Sequence, residues 1–260
     1  MREMLLAVRS SIAISLPLLA CVACGVHLGD GADGLRTDAS VTGDDDAAQP
    51  DSAPSPDVPA CANGRVVYLS FDGVALTRAT PSDATQNRAS WMNIAQGTAP
   101  RYKTGAANRD QLIQDVTTGI RTQLSSFPVT VVTQRPAAGP YVMIVFGGAA
   151  NQVGSNFGGA VQQLDCGDAA KSDVAWISDN VGPTQRVVNF AVGAIGFGLG
   201  LTGTSDPLDC MCGWANACTS DNSVACKLSP MITRDPNANQ RCPGLTTQNE
   251  VAAFDAAFCR

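Results

Sequence analysis

The sequence predicts a mixed α/β (α+β) domain, in which a small mixed sheet packs against a long central helix, followed by a disulfide-stapled loop and a C-terminal helix. Three observations lead there. Short apolar, β-branched runs recur at 66–71, 128–133, 141–146 and 174–177. Apolar residues four apart mark one helix after residue 108, and an uncharged stretch at 187–203 marks a second, buried one. Eight cysteines follow residue 60, five of them between Cys210 and Cys242 in a stretch rich in Asn, Ser, Pro and Asp. Helices layered on a small sheet bury the faces of both.

Each element has its own signal. Val66 to Phe71 alternates apolar and polar after a turn-like Asn63-Gly64, so it reads as a first strand. Residues 73–105 are rich in Thr, Ala, Ser and Gly with Trp91 as the one large anchor, and are expected to form a long loop. Asn108 is a candidate N-cap for a helix carrying Leu112, Val116, Ile120 and Leu124 on one face. Pro128 to Thr133 and Tyr141 to Phe146 are strands, the second ended by Gly147-Gly148, and Val174 to Ile177 is a short strand. Thr184 to about Leu201 reads as a buried helix. Thr246 or Thr247 is expected to cap a last helix with Val251, Phe254 and Phe258 along one side.

The chain divides into three parts. Residues 1–20 have basic Arg2 and Arg9, a short apolar stretch and small Ala20, the pattern of a secretory signal. The Leu-Leu-Ala-Cys ending resembles a bacterial lipobox, which implies a lipid-anchored protein of the cell envelope, of the outer membrane by expectation; an ordinary Ala-type cleavage is the alternative. Cys21 fits the lipobox best. Cys24 is the alternative on parity, because cleavage there leaves no odd thiol. Residues 21–60 are acidic and rich in Gly, Ala, Ser and Pro, with no aromatic residue, so they are expected to be a disordered tether. The one histidine of the chain, His27, lies in it, with no role expected. Residues 61–260 form the domain.

Composition excludes several function classes. From Cys61 to Arg260 there are 14 Lys/Arg and 14 Asp/Glu, so the domain offers no basic footprint for nucleic acid. Only three lysines are present, too few for a basic membrane patch. A Ser-His-Asp or Cys-His site needs a histidine that the domain lacks. Cys61, Cys166, Cys210, Cys212, Cys218, Cys226, Cys242 and Cys259 are expected to form disulfides in an oxidising compartment. A zinc site is the rival reading, but Cys210-Met211-Cys212 has one intervening residue, and no second pair follows at ligand spacing. Asp165, Asp173, Asp179, Asp206 and Asp209 are candidates for an acid–base pair, though scattered aspartates are usually turn residues. Asp235, Asn237 and Asn239 match the first alternate positions of a calcium loop. Gln240 and Thr246 then stand where its glycine and closing glutamate belong, so a Pro/Asn turn is the better expectation.

Residues 187–203, VVNFAVGAIGFGLGLTG, carry glycine at 193, 196, 198, 200 and 203. Each interior glycine costs a helix roughly 1 kcal/mol relative to alanine, so packing or ancestry must explain them. A membrane span is one alternative, but the stretch is short for spanning and contains Asn189. The segment GAIGFGLGLTG followed by TSDPLDCM resembles the core of a metzincin-type zinc metallopeptidase. There a helix of pattern His-Glu-x-x-His-x-x-Gly-x-x-His precedes a methionine-containing turn. Two histidines four apart on one helix face bind zinc, the glycine turns the chain toward the third, and the glutamate serves as base.

The resemblance places the turning glycine at Gly200 and the Met-turn at Met211. The three histidine positions fall on Gly193, Phe197 and Gly203, and the glutamate position on Ala194. All four catalytic residues are replaced, and Glu250 is the only glutamate of the domain. The similarity extends over residues 65–258 through the strand ending Ser70-Phe71-Asp72-Gly73 and the segments VTVVTQRP and YVMIVFGG. It implies a metzincin-like fold without zinc or other cofactor, a pseudoenzyme that binds a peptide or protein partner in the old cleft. A structural envelope lipoprotein without a cleft function, and an active secreted metallopeptidase with atypical ligands, are the alternatives.

Overall fold

In the computed structural model, the described residues are 65–214 and 218–258. The expected signal segment, the tether and the residues Cys21, Cys24, His27, Cys61 and Cys259 lie outside them. In chain order the elements are β1 (Val66–Ser70), β2 (Val74–Arg78), β3 (Arg88–Ala89), β4 (Gln96–Ala99), α1 (Arg109–Gln123), β5 (Thr130–Val132), β6 (Tyr141–Phe146), α2 (Ala150–Val153), β7 (Ala160–Val161), β8 (Val174–Ile177), α3 (Thr184–Gly198), β9 (Ile232–Thr233), β10 (Thr247–Gln248) and α4 (Glu250–Phe258). The fold is mixed α/β, as the periodicities require.

The main sheet runs β5-β1-β6-β8-β7. Four strands are parallel, and β7 joins β8 antiparallel at the end of the sheet. All six residues of β6 and all four of β8 are buried, as expected of parallel strands covered on both faces. Their alternation divides the core in two. Val142, Ile144, Phe146, Ala175 and Ile177 face α1, α3 and α4. Tyr141, Met143, Val145 and Trp176 face the opposite side.

That opposite side corrects the reading of 73–105 as a loop. Residues 74–99 form a second, three-stranded sheet of order β3-β2-β4 whose Leu76, Ala89, Trp91, Met92 and Ala99 complete the second core. Trp91 is anchored by its indole N–H, which donates to the Val174 carbonyl at 2.7 Å. Its strands are short and carry few β-branched residues in sequence, so propensity misses what tertiary packing imposes.

The helices follow the predicted faces. Val116, Ile120 and Leu124 of the α1 stripe are fully buried, and Asn108 caps α1 by position without a side-chain hydrogen bond. Gly119 lets α3 approach: a Cβ there would lie 2.6 Å from Val188 Cγ2. The last helix begins later than the threonine caps imply, because Thr247 is drawn into β10, paired with Thr233. Asn249 is the cap instead, its Oδ1 accepting from the Ala252 amide at 2.8 Å. No helix among the described residues is long and apolar enough to cross a membrane.

Three disulfides, Cys166–Cys242, Cys210–Cys226 and Cys212–Cys218, hold the irregular region after α3. They mark a chain that matures in an oxidising, extracytoplasmic environment.

Candidate functional site

The C-terminal end of α3 shapes the site. Leu199 closes the helix and Gly200 follows with φ +84°, in the left-handed region that glycine adopts without a Cβ penalty. The Gly200 amide donates to the Phe197 carbonyl at 3.1 Å, and the Leu201 amide to that of Gly196 at 3.0 Å. This is the Schellman arrangement, which satisfies the last carbonyls and turns the chain sharply. The turn falls at Gly200, where the resemblance puts its turning glycine. Beyond it, Gly203 is tied down by its carbonyl, which accepts from the Asp235 amide at 2.8 Å.

Gly193 and Phe197, four apart, share one face of α3, and both meet Trp214. The Phe197 and Trp214 rings stack at 5.1 Å and 27°. The Trp214 indole lies against Gly193, where a Cβ would fall 2.5 Å from the Cys210 carbonyl oxygen, 2.7 Å from Trp214 Cδ1 and closer still to Nε1. Real Cβ atoms do not sit so close, so any side chain at position 193 has to displace the indole or the Cys210 backbone. Trp214 Nε1 is buried without a hydrogen-bond partner among the described residues. Ala194 points into the main core with no exposure. Met211 is also fully buried, its Sδ 2.8 Å from where a Gly196 Cβ would sit. The Met211 turn thus packs beneath the helix, and two of its glycines are explained by close approach.

Two depressions flank this stack. One, of about 160 Å³, has Phe197 and Trp214 on one side and Ala160, Val161 and Gln162 on the other. The second, of about 260 Å³, shares Phe157, Ala160 and Trp214 with the first and adds Arg186 and Phe190. Phe157 is 48% exposed above both. The Arg186 guanidinium lies over the Phe190 ring at 5.2 Å. The strand bordering the depressions is β7, the end strand of the sheet.

The candidate aspartates separate into turn residues and buried groups. Asp179 accepts from the Lys103 and Gly148 amides, and Asp206 from the Leu208 amide, each at 2.8–2.9 Å. Asp209 is buried in the Met211 turn, accepting from the Met211 amide at 2.8 Å and Thr204 Oγ1 at 2.9 Å. Burial raises its pKa, and it faces Glu250, also raised by burial and then by the charge of Asp209. Asp165 and Asp173 do come together, joined by Asp168, which the sequence reading did not single out. Burial pushes the Asp173 carboxyl up to about 8, and the Asp165 charge adds to it. Asp235 makes an Asx turn, its Oδ1 accepting from the Asn237 amide at 2.8 Å.

Trp214 is the site residue that sequence reasoning missed. Its signal was the pairing of glycine-rich helix and large aromatic three residues after Met211, a fit visible only once the turn folds over the helix. No protein-family model matches the chain, and no curated protein is significantly similar to it.

Proposed function

We propose that this domain is a catalytically silent, metzincin-like binding module of the cell envelope, held to the membrane by lipid on Cys21 and holding an extended peptide or protein segment along β7. The observation that carries the reading is the groove between the Phe197–Trp214 stack and the end strand β7. A strand with an unpaired side offers amides and carbonyls to an extended peptide, and flanking depressions take its side chains. Exposed Phe157 and half-buried Trp214 supply the aromatic surface that such interfaces use.

The chemistry of the replaced positions supports silence. An imidazole cannot be supplied from within 61–260, and the one glutamate of the domain is sealed at the start of α4 with no exposed surface. The purely structural alternative expects the cleft beside Phe197 to be filled, and the groove there argues against it. A peptidase with atypical ligands would need them near Gly193, where Trp214 stands.

The test combines metal analysis, proteolysis and binding. Purified protein should hold no stoichiometric zinc and leave unfolded substrates uncut. A library of extended peptides should contain members that change Trp214 fluorescence, and Trp214→Ala should abolish their binding. Stoichiometric zinc together with cleavage, or a library without a single binder, would end this reading.

A further inference from the structure

We propose that Asp165, Asp168 and Asp173, with the side-chain oxygen of Gln162, form a calcium site at the C-terminal end of α3. The three carboxylates each bring an oxygen within 4.8 Å of the others. Oxygens no farther apart than that can share one calcium ion, whose Ca–O bonds are about 2.4 Å long, and a cage of protein oxygens suits calcium better than magnesium, which keeps several waters. All the donors are hard oxygens, as calcium prefers.

A second observation is independent of the acidic residues. Gln162 is 1% exposed, and neither its Oε1 nor its Nε2 has a hydrogen-bond partner among the described residues. Its amide lies against Gly198 beside Asp173: a Cβ on Gly198 would be 3.0 Å from Gln162 Nε2 and 2.8 Å from Asp173 Oδ2. Oxygen and nitrogen of an amide exchange places by a flip, which turns Oε1 toward the carboxylates. Asp173 Oδ2 is likewise buried and unpartnered among the described residues.

Electrostatics points the same way. Arg65 Nη2 and Lys171 Nζ both bond to Asp168, at 2.7 and 2.6 Å. No basic side chain is hydrogen-bonded to Asp165 or Asp173 among the described residues; Asp165 Oδ2 takes only the Ala170 amide, at 2.6 Å. Three carboxylates therefore share two basic groups, whose charges reach Asp173 only through space, and the cluster keeps an excess of negative charge. It stands at a helix end whose own dipole is negative and whose last turn carries no basic residue. A divalent cation offsets that excess. The loop carrying the carboxylates is pinned by Cys166–Cys242, and Asp165 and Asp168 are only half-buried, so the ion reaches them from solvent.

The experiment is calorimetric titration of the chelator-treated full chain with calcium chloride, paired with melting curves in calcium, in magnesium and in EDTA. One ion per chain is expected, with Kd in the ~0.1–1 mM range of extracellular calcium modules and a melting temperature that rises in calcium above that in magnesium. Asp173→Asn should weaken binding at least tenfold. Asp165→Asn, at a half-buried position, should do the same where the first variant folds poorly. Asp235→Asn should leave binding unchanged. The proposal is overturned if the wild type shows neither heat nor stabilisation up to about 10 mM calcium. It is also overturned if magnesium stabilises equally, or if Asp235→Asn removes binding while the other two variants keep it.

Discussion

Replacing Glu250 with glutamine should flatten the pH dependence of stability between pH 5 and 8. Glu250 is fully buried at the start of α4. Its Oε1 accepts from Gln248 Nε2 at 2.8 Å and its Oε2 from the Ser229 amide at 2.9 Å, and it shares a hydrogen bond with Asp209. Desolvation first, and the charge of Asp209 next, push its pKa from 4.5 up to about 8. The folded state therefore keeps a proton that the unfolded chain has already released. The stabilisation is complete below about pH 4.5 and is lost as pH rises through about 8. The slope is about 1.4 kcal/mol per pH unit, and the whole effect is on the order of 3–5 kcal/mol. Asp173, raised in the same direction, supplies a similar share. Glutamine cannot ionise. It still donates to Asp209 but offers one acceptor to two donors, a loss of roughly 1–2 kcal/mol at pH 5. The wild type should thus be the more stable protein at pH 5 and the variant at pH 8. Urea unfolding by near-ultraviolet circular dichroism across this range, in EDTA and with disulfides intact, gives both lines. Parallel lines would refute the reasoning.

Gly193→His should cost about 2–4 kcal/mol by overpacking against Trp214 and Cys210 and should bring no zinc into the protein; denaturation and metal analysis check both parts. Loss of the Cys166–Cys242 disulfide, which spans 76 residues, should cost about 4 kcal/mol, against about 2 for Cys212–Cys218, which spans 6. Paired Cys→Ser variants in urea would reveal that ratio or its absence. Gly200→Ala should lose about 1–2 kcal/mol from its positive φ, read as a lower urea midpoint at unchanged slope. Cys21→Ala should abolish incorporation of labelled fatty acid in the expressing bacterium, and Cys24→Ala should not.

Much of the helical face of the fold was legible in the sequence because it is local. The spacing of Val116, Ile120 and Leu124, the run YVMIVF and the cluster of glycines each carry their own period. The back face was not. Leu76, Ala89 and Met92 lie in a Thr- and Ser-rich stretch without period, and only the need to cover Tyr141, Met143 and Trp176 calls them into a sheet. Strands apolar on both faces were the available clue. At the site, the turn at Gly200 was reached through the resemblance, whereas the residue pattern alone ran the helix on to about Leu201. The stacking of Trp214 on Phe197 and the meeting of Asp165 with Asp173 could be read from neither, since both depend on where the stapled loop and the 162–173 segment return.

The fit of Trp214 over Gly193 also sets an order on change. No side chain enters position 193 while the indole is there, and removing the indole first uncovers Phe197 and the groove wall it builds. Each single step is harmful, and only the pair together opens space for a ligand. A metal-ligating side chain at position 193 therefore needs a simultaneous change at Trp214, and that change alters the groove wall as well.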